Sequence, residues 1–300
     1  MPKHRSHGSG GGSSNSNNSA AGTVESAPAP RSSAPVVANF ASHHLTIGCG
    51  VAIFHVASQK VVLCFHSRDR YWFLPKGRKD AGEDLGRAAE REGFEESGYR
   101  NRLLPLPIQH RQPRPAAHVP TQTAQNEGNG NSSNVSEAMT APASPHLNSL
   151  LFSTEPVWTQ LIPQSIHTQY ILFWYVAETV PPDVEAALLQ QQQKQQQSIT
   201  SSSAAQTSRP SPAEQAGPYL PPPPYPPSLS LCDRVKAEPP GYVPPRHEGT
   251  GVDAEEALYE SYLVPVDEAM RRLRGSVMAD VVRKGWVGIK ERREWEEKGN

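Results

Sequence analysis

Residues 77 to 99 read GRKDAGEDLGRAAEREGFEESGY, and the acidic residues in this stretch decide what the rest of the chain has to support. From Asp84 to Ser97 there is no proline and the first turn is acidic. Gly98 follows as a residue suited to a C-terminal cap, so the pattern predicts a helix over 84–97. On that helix Glu92, Glu95 and Glu96 stand at i, i+3 and i+4, which puts three carboxylates on one face. Like charges so placed repel, and the face is destabilising unless something cationic sits among them. Hard divalent cations that prefer carboxylate oxygen, Mg2+ or Mn2+, are the natural occupants. Such an ion would bridge the carboxylates to a diphosphate, neutralise its charge and position a water for attack on phosphorus. The competing reading is an acidic helix face turned to solvent.

Outward from this helix, much of the chain is not core material: 36% of its 300 residues are hydrophobic, with 30 Pro, 22 Gly and only 7 Phe. Residues 1–40 (HGSGGGSSNSNNSAAG, then APAPRSSAP) lack hydrophobic periodicity and read as a disordered tail. The tract from about 112 to 147 is similar. The tract from about 190 to 250, with its QQQQKQQQ run and LPPPPYPPS, reads as a Gln run followed by extended polyproline. Both tracts are expected to be disordered insertions in a single domain spanning 41–300, because structureless loops beyond roughly 15 residues are rare inside compact domains. The 29 basic and 30 acidic residues nearly cancel, which argues against general nucleic-acid or membrane-surface binding and makes any anion site local. Cys49, Cys64 and Cys232 form no C-x-x-C pattern, so neither a disulfide framework nor a thiolate zinc site is expected. With no apolar leader and no apolar run near roughly 18 residues, the expected location is cytoplasmic or nuclear.

The three remaining blocks carry strand and helix signals. TIGCGVAIFHV (46–56) alternates Ile47, Cys49, Val51 and Ile53 with smaller residues, as a half-buried strand does, and Ser58-Gln59 turns it into the central-strand pattern KVVLCFH (60–66). YWFL (71–74), 155–162, QYILFWYVAE (169–178) and YESYLV (259–264) are further strands. A helix opens at Pro265 with Val266, Ala269, Met270 and Leu273 on one face, and a second covers 277–295.

The stretch 77–99 also fits G-x5-E-x7-R-E-U-x-E-E-x-G-U, with U a bulky apolar residue, and in this it resembles the box of Nudix hydrolases. Gly77, Glu83, Arg91, Glu92, Glu95, Glu96 and Gly98 all match, which chance would supply on the order of once in a million such chains. The resemblance implies an α/β fold, an α/β/α sandwich around a mixed sheet, and a metal-dependent hydrolase that cleaves a phosphoanhydride. Carried over by position, Glu92, Glu95, Glu96 and the Gly77 carbonyl would hold Mg2+ or Mn2+, Arg91 would orient the glutamates, and Glu83 would pair with Arg91. One of the box glutamates, Glu92 or Glu95 among them, or a carboxylate outside the box would act as general base. Trp72-Phe73-Leu74-Pro75-Lys76-Gly77 resembles the lead-in of the diadenosine and diphosphoinositol polyphosphate branches, which points to a small-molecule polyphosphate substrate.

Gly93 departs from the pattern, standing where an apolar side chain should pack the helix on its sheet. Either the helix lies closer to the sheet or the enzyme is damaged. His66, Arg68, Arg70, Lys76, Arg78 and Lys79 form a local basic cluster, of which Lys76 and Arg78, flanking Gly77, are the candidates for substrate phosphate. Tyr170, Trp174 and Tyr175 could offer a base-stacking surface or lie in the core, and Glu178 and Glu260 are candidate outlying carboxylates or surface residues. Pro222–Tyr225 and Pro239–Tyr242 have the P-P-x-Y form that WW domains bind as an extended helix. A second class of function is therefore a phosphate-ligand binding module that recruits WW proteins without turnover. His43-His44, the only adjacent pair, suggests no zinc site.

Overall fold

A computed structural model describes residues 32–113, 152–202, 219–251 and 255–299. Its frame is one mixed sheet of eight strands: β1 (Leu45–His55), β2 (Lys60–His66), β3 (Tyr71–Phe73), β4 (Lys76–Arg78), β5 (Asn101–Leu103), β6 (Trp158–Pro163), β7 (Gln169–Thr179) and β8 (Tyr259–Pro265). β1 is the axis. It pairs in parallel with β7 from Leu45↔Gln169 to Phe54↔Glu178, and it pairs with β2 only beside their hairpin, at Phe54↔Val61 and His55↔Lys60. Beyond those pairs β4 takes the edge of β1 (Cys49↔Gly77) and β3 takes that of β2 (Cys64↔Phe73), while β8 covers the other side of β2. The register of β4 sets Gly77 beside the middle of β1.

The half-buried reading of β1 is corrected by its neighbours, because both of its faces are covered. Cys49, Val51 and Ile53 join Ala88 and Ala89 of helix α1 (Leu85–Ser97) in one apolar layer. Ala52, Phe54 and Val56 point the other way, into a larger layer closed by α4 (Val266–Arg272) and α5 (Val277–Glu297) through Ala269, Leu273, Val281, Val282 and Ile289. A strand with helices on both sides becomes a continuous apolar run, and the outcome is the expected α/β/α sandwich. Gly48 and Gly50 make room for side chains rather than for another backbone, since a Cβ on them would strike the rings of Tyr170 and Trp174.

The expected insertion over 190–250 is overturned in part. Its first residues continue helix α2 (Pro182–Ser202), which opens with Asp183 and Glu185 in its first turn, and its second half is packed on the domain. Residues 219–250 form a strap containing the short helix α3 (Leu231–Lys236), with Tyr225 and Leu231 buried in the larger layer. Glu296 of α5 accepts the Leu231 and Cys232 backbone N–H groups at 2.9 Å, Arg292 donates to Leu229 O, and Arg292 and Arg102 lie 4.7 and 4.9 Å from the Tyr225 ring centroid. Residues 203–218, the expected disordered tail up to residue 31 and most of the 112–147 tract lie outside the described residues. Residues 32–40 are exposed and carry no regular secondary structure.

This packing bears on both P-P-x-Y copies. Tyr225 is only 6% exposed, so its ring is not presented to a partner. Pro239–Tyr242 is closed into a turn, with the Tyr242 N–H donating to Pro239 O at 3.1 Å and Gly241 at φ 75°, which is incompatible with the extended helix a WW domain grips. The Tyr225 hydroxyl is buried without a hydrogen-bond partner among the described residues. A buried hydroxyl without a partner costs free energy, so Tyr225→Phe is expected to be neutral to stabilising, by up to about 1 kcal/mol. A loss of stability in chemical denaturation would show that the hydroxyl has found a partner.

No described helix is long and apolar enough to cross a membrane.

Candidate active site

The box helix is fixed at both ends. Asp84 sits before the first turn, not within it, and its Oδ1 accepts the Gly86 and Arg87 N–H groups at 2.9 and 3.2 Å. Gly98 closes the other end at φ 72°, its N–H donating to Phe94 O, and there the strap passes so close that a Cβ would lie 2.2 Å from His247 O. Phe94, at a variable letter of the pattern, is covered by the strap through the rings of Tyr219 and His247.

At Gly93, a Cβ would stand 2.7 Å from Asn101 Nδ2 and 2.8 Å from Val51 Cγ1. The helix therefore does lie closer to its sheet than an apolar side chain would allow. The close approach also brings Glu92 against Gly77, where a Cβ would sit 1.8 Å from the Glu92 carboxylate. Gly77 has no side chain because the carboxylate occupies that space.

Arg91 organises the acidic face. Its Nε and Nη2 donate to the two oxygens of Glu83, both at 2.9 Å, and Nη1 donates to Glu92 at 2.9 Å and to Glu95 at 2.7 Å. The remaining Nη2 hydrogen goes to Arg78 O at 3.0 Å, so all five donors of the guanidinium are used. Glu83 also accepts the Asp80 N–H, and the Arg91 hydrogen bonds hold its carboxyl below the usual range. Glu96 is turned from Arg91 and accepts the Lys76 backbone N–H at 2.7 Å.

Burial dominates the titration of this face. It pushes the Glu92 carboxyl up to about 7 against the pull of Arg91, and the Glu96 carboxyl up to about 8 against the pull of Lys76. Glu95 is raised for the same reason. One guanidinium thus leaves three desolvated carboxylates under-compensated. The donors are all hard oxygens, and the Gly77 carbonyl, which accepts from the Tyr170 hydroxyl at 3.0 Å, belongs to the same cleft. This donor set fits Mg2+ or Mn2+.

A cleft of about 780 Å³ gathers Lys76, Gly77, Arg78, Lys79, Arg91, Glu92, Glu95 and Glu96 together with Tyr170, Glu255, Glu256 and Tyr259. Of the basic cluster, Lys76, Arg78 and Lys79 reach it. Arg68 pairs instead with Asp69 and Glu255, and Arg70 sits by the Phe65 ring. Of the three aromatic candidates only Tyr170 lines the cleft. Trp174 is buried with its Nε1 on Gln160, and Tyr175 packs behind α1. Glu178 is neither at the site nor on the surface: it is buried between Arg102 at 2.8 Å and Arg234 at 3.3 Å. Glu260 is exposed and bonded to the Tyr262 hydroxyl.

The outlying carboxylates of the cleft are Glu255 and Glu256, which sequence reasoning missed. Glu256 adds its charge to the raised titration of Glu92, Glu95 and Glu96. Among the described residues, His66, Asp69 and Glu255 bring possible ligand atoms within 4.8 Å of one another. Both His66 nitrogens are already engaged, however, and Arg68 shares Glu255, so that group behaves as a hydrogen-bond cluster.

Residues 46–138 match the family model described as the NUDIX domain. Similar solved structures include a MutT NUDIX hydrolase from Burkholderia pseudomallei, at 17% identity over 45% of this chain and 67% of that one, with a TM-score of 0.24. A NUDIX hydrolase from Nitrosomonas europaea matches at 15% identity over 46% and 62%, TM-score 0.25. A NUDIX-family hydrolase from Clostridium perfringens matches at 20% over 47% and 72%, TM-score 0.26. The chain thus spans less than two thirds of the second of these proteins.

Proposed function

From the NUDIX domain that residues 46–138 carry, we propose that this chain is a divalent-metal-dependent hydrolase that cleaves a phosphoanhydride bond in a dinucleoside polyphosphate or a diphosphoinositol polyphosphate. The observation that carries the reading is the meeting, in one cleft, of desolvated Glu92, Glu95 and Glu96 with the cationic side chains Lys76, Arg78 and Lys79. An anionic polyphosphate supplies what each half lacks: charge for the cations and, with a divalent ion, counter-charge for the carboxylates. When bound, Mg2+ or Mn2+ polarises the phosphoryl oxygens and lowers the pKa of a water. Arg91 holds Glu92 and Glu95 in place, Lys76 and Arg78 bind the phosphates, and a cleft carboxylate accepts the proton of the attacking water.

The test is a turnover screen with Mg2+ and with EDTA over diadenosine polyphosphates, diphosphoinositol phosphates, nucleotide sugars and capped RNA. Turnover of one of the first two classes, abolished by EDTA, is expected. Binding of a phosphorylated ligand without any turnover would replace the enzyme with a binding module.

Metal linkage gives a pH signature. The Glu92 and Glu96 carboxyls rise from an ordinary 4.5 to about 7 and about 8, so from about pH 4.5 to about 8 the folded chain binds more protons than the unfolded one. In EDTA these groups contribute most stability below that window and lose it as pH rises through 7 and 8. The cation needs the ionised form, so the increase in Tm produced by excess Mg2+ should grow across the same window. An Mg2+ effect that is flat from pH 5 to 9 would remove Glu92 and Glu96 from the metal site.

A further inference from the structure

His66, the last residue of β2, has no exposed surface, yet neither ring nitrogen is idle. Nδ1 accepts the Asp69 backbone N–H at 3.0 Å and so carries no proton, which leaves the proton on Nε2, 2.8 Å from Glu255 Oε1. Tyr71 stacks on the ring at 5.2 Å between centroids and Tyr259 tilts against it at 5.4 Å, which fixes its orientation. The same Glu255 oxygen receives Arg68 Nη2 at 2.8 Å. Next along the chain, Ser67 donates both its N–H (3.1 Å) and its hydroxyl (2.9 Å) to Leu258 O. The short 3-10 turn Glu256–Leu258 is therefore pinned on both sides by three consecutive residues, His66, Ser67 and Arg68. Glu256 lies between the two anchor points and lines the same cleft as the box glutamates.

We propose that His66 is a positioning residue, whose neutral imidazole holds Glu255 and thereby sets Glu256 over the cleft as the working carboxylate outside the box. The proposal rests on the hydrolytic reading of the cleft. The Nε2–H fixes the carboxylate through a charge-assisted hydrogen bond from a ring that is itself held on both faces. Small errors in placing a reacting group cost orders of magnitude in rate, so a buried anchor one residue away is consequential.

The experiment compares the wild-type chain with His66→Leu, which removes the donor, and His66→Gln, whose amide can reach the place of Nε2. In His66→Leu, kcat is expected to fall about tenfold with KM within about twofold, and His66→Gln should recover most of the loss. Arg68→Ala, an exposed change that removes the second donor, should lower kcat about threefold and serves if His66→Leu does not fold. In a Glu256→Gln background both effects should vanish, because the residue being positioned is gone. Losses that multiply instead, or a KM effect alone, would overturn the proposal. If wild type hydrolyses no phosphoanhydride, the hydrolytic reading falls and the positioning is read from hydrogen exchange. The Ser67 amide should exchange at least tenfold faster in His66→Leu than in wild type, and unchanged protection would overturn the anchor by itself.

Discussion

Glu95→Gln and Glu96→Gln should each lower turnover by about two to four orders of magnitude, as removal of a metal-binding carboxylate worth several kcal/mol does. Neither should cost much stability. Glu95 is one of the acceptors of Arg91, so its amide loses a charge-assisted bond at 2.7 Å and leaves Glu92 and Glu83 to hold the guanidinium. Burial already outweighs that bond in the titration of Glu95, so the loss is offset by the relief of desolvation and little net change in stability follows. Glu96 has no such cation bonded to it: its carboxylate accepts the Lys76 N–H, which an amide oxygen also accepts, and burial pushes its carboxyl up to about 8. Replacing it with a neutral group removes a desolvation cost, so metal-free Glu96→Gln should melt at the same temperature as wild type or higher at pH 9. A variant that is at least as stable and yet inactive separates a functional carboxylate from a structural one. A solvated acidic helix face would move neither quantity, and rates within about twofold of wild type for both variants would return the face to that reading.

That face was legible in sequence because an α-helix converts spacing into geometry: Glu92, Glu95 and Glu96 had to share a side, and Arg91 had to reach at least one of them. The strands were legible for a similar reason. The pattern KVVLCFH spans β2 as found, and the Pro265 helix starts where its sequence says. What was hidden depends on partners far along the chain. The burial of β1 on both faces required knowing that α5 would cover Phe54. Glu255 and Glu256 stand far downstream of the box and reach it only because β8 pairs with β2, from Lys60↔Pro265 to His66↔Tyr259. The strap was misread because proline-rich composition describes the average of a segment, while it docks through individual residues such as Tyr225, Leu231 and Arg234. The Gln run concealed α2 similarly, although Gln is a good helix former and Asp183 and Glu185 already marked a first turn.

Gly93→Leu, which would restore the apolar letter the box pattern expects, should damage the protein. A Cβ at that position meets Asn101 Nδ2 at 2.7 Å and Val51 Cγ1 at 2.8 Å, and neither can give way. Asn101 is 1% exposed and its amide is held by Glu90 O at 2.9 Å and Tyr99 O at 3.3 Å. Val51 lies at the centre of β1, whose backbone is paired on both sides. Gly93→Ala should therefore lose about 1 to 2 kcal/mol, even though alanine gains roughly 1 kcal/mol of helix propensity over glycine, and Gly93→Leu about 3 kcal/mol or more. The only relief is for α1 to lift from the sheet, and the site lies on the same helix. Lifting it would draw Glu92 away from Gly77 and Glu96 away from the Lys76 N–H, so a well-folded fraction of Gly93→Leu should still show kcat reduced at least tenfold. Denaturant midpoints with single-turnover rates on the folded protein separate the two losses. A Gly93→Ala protein more stable than wild type would show that the sheet yields to the helix; a destabilised but fully active Gly93→Leu would show that the carboxylates do not depend on how closely α1 approaches β1.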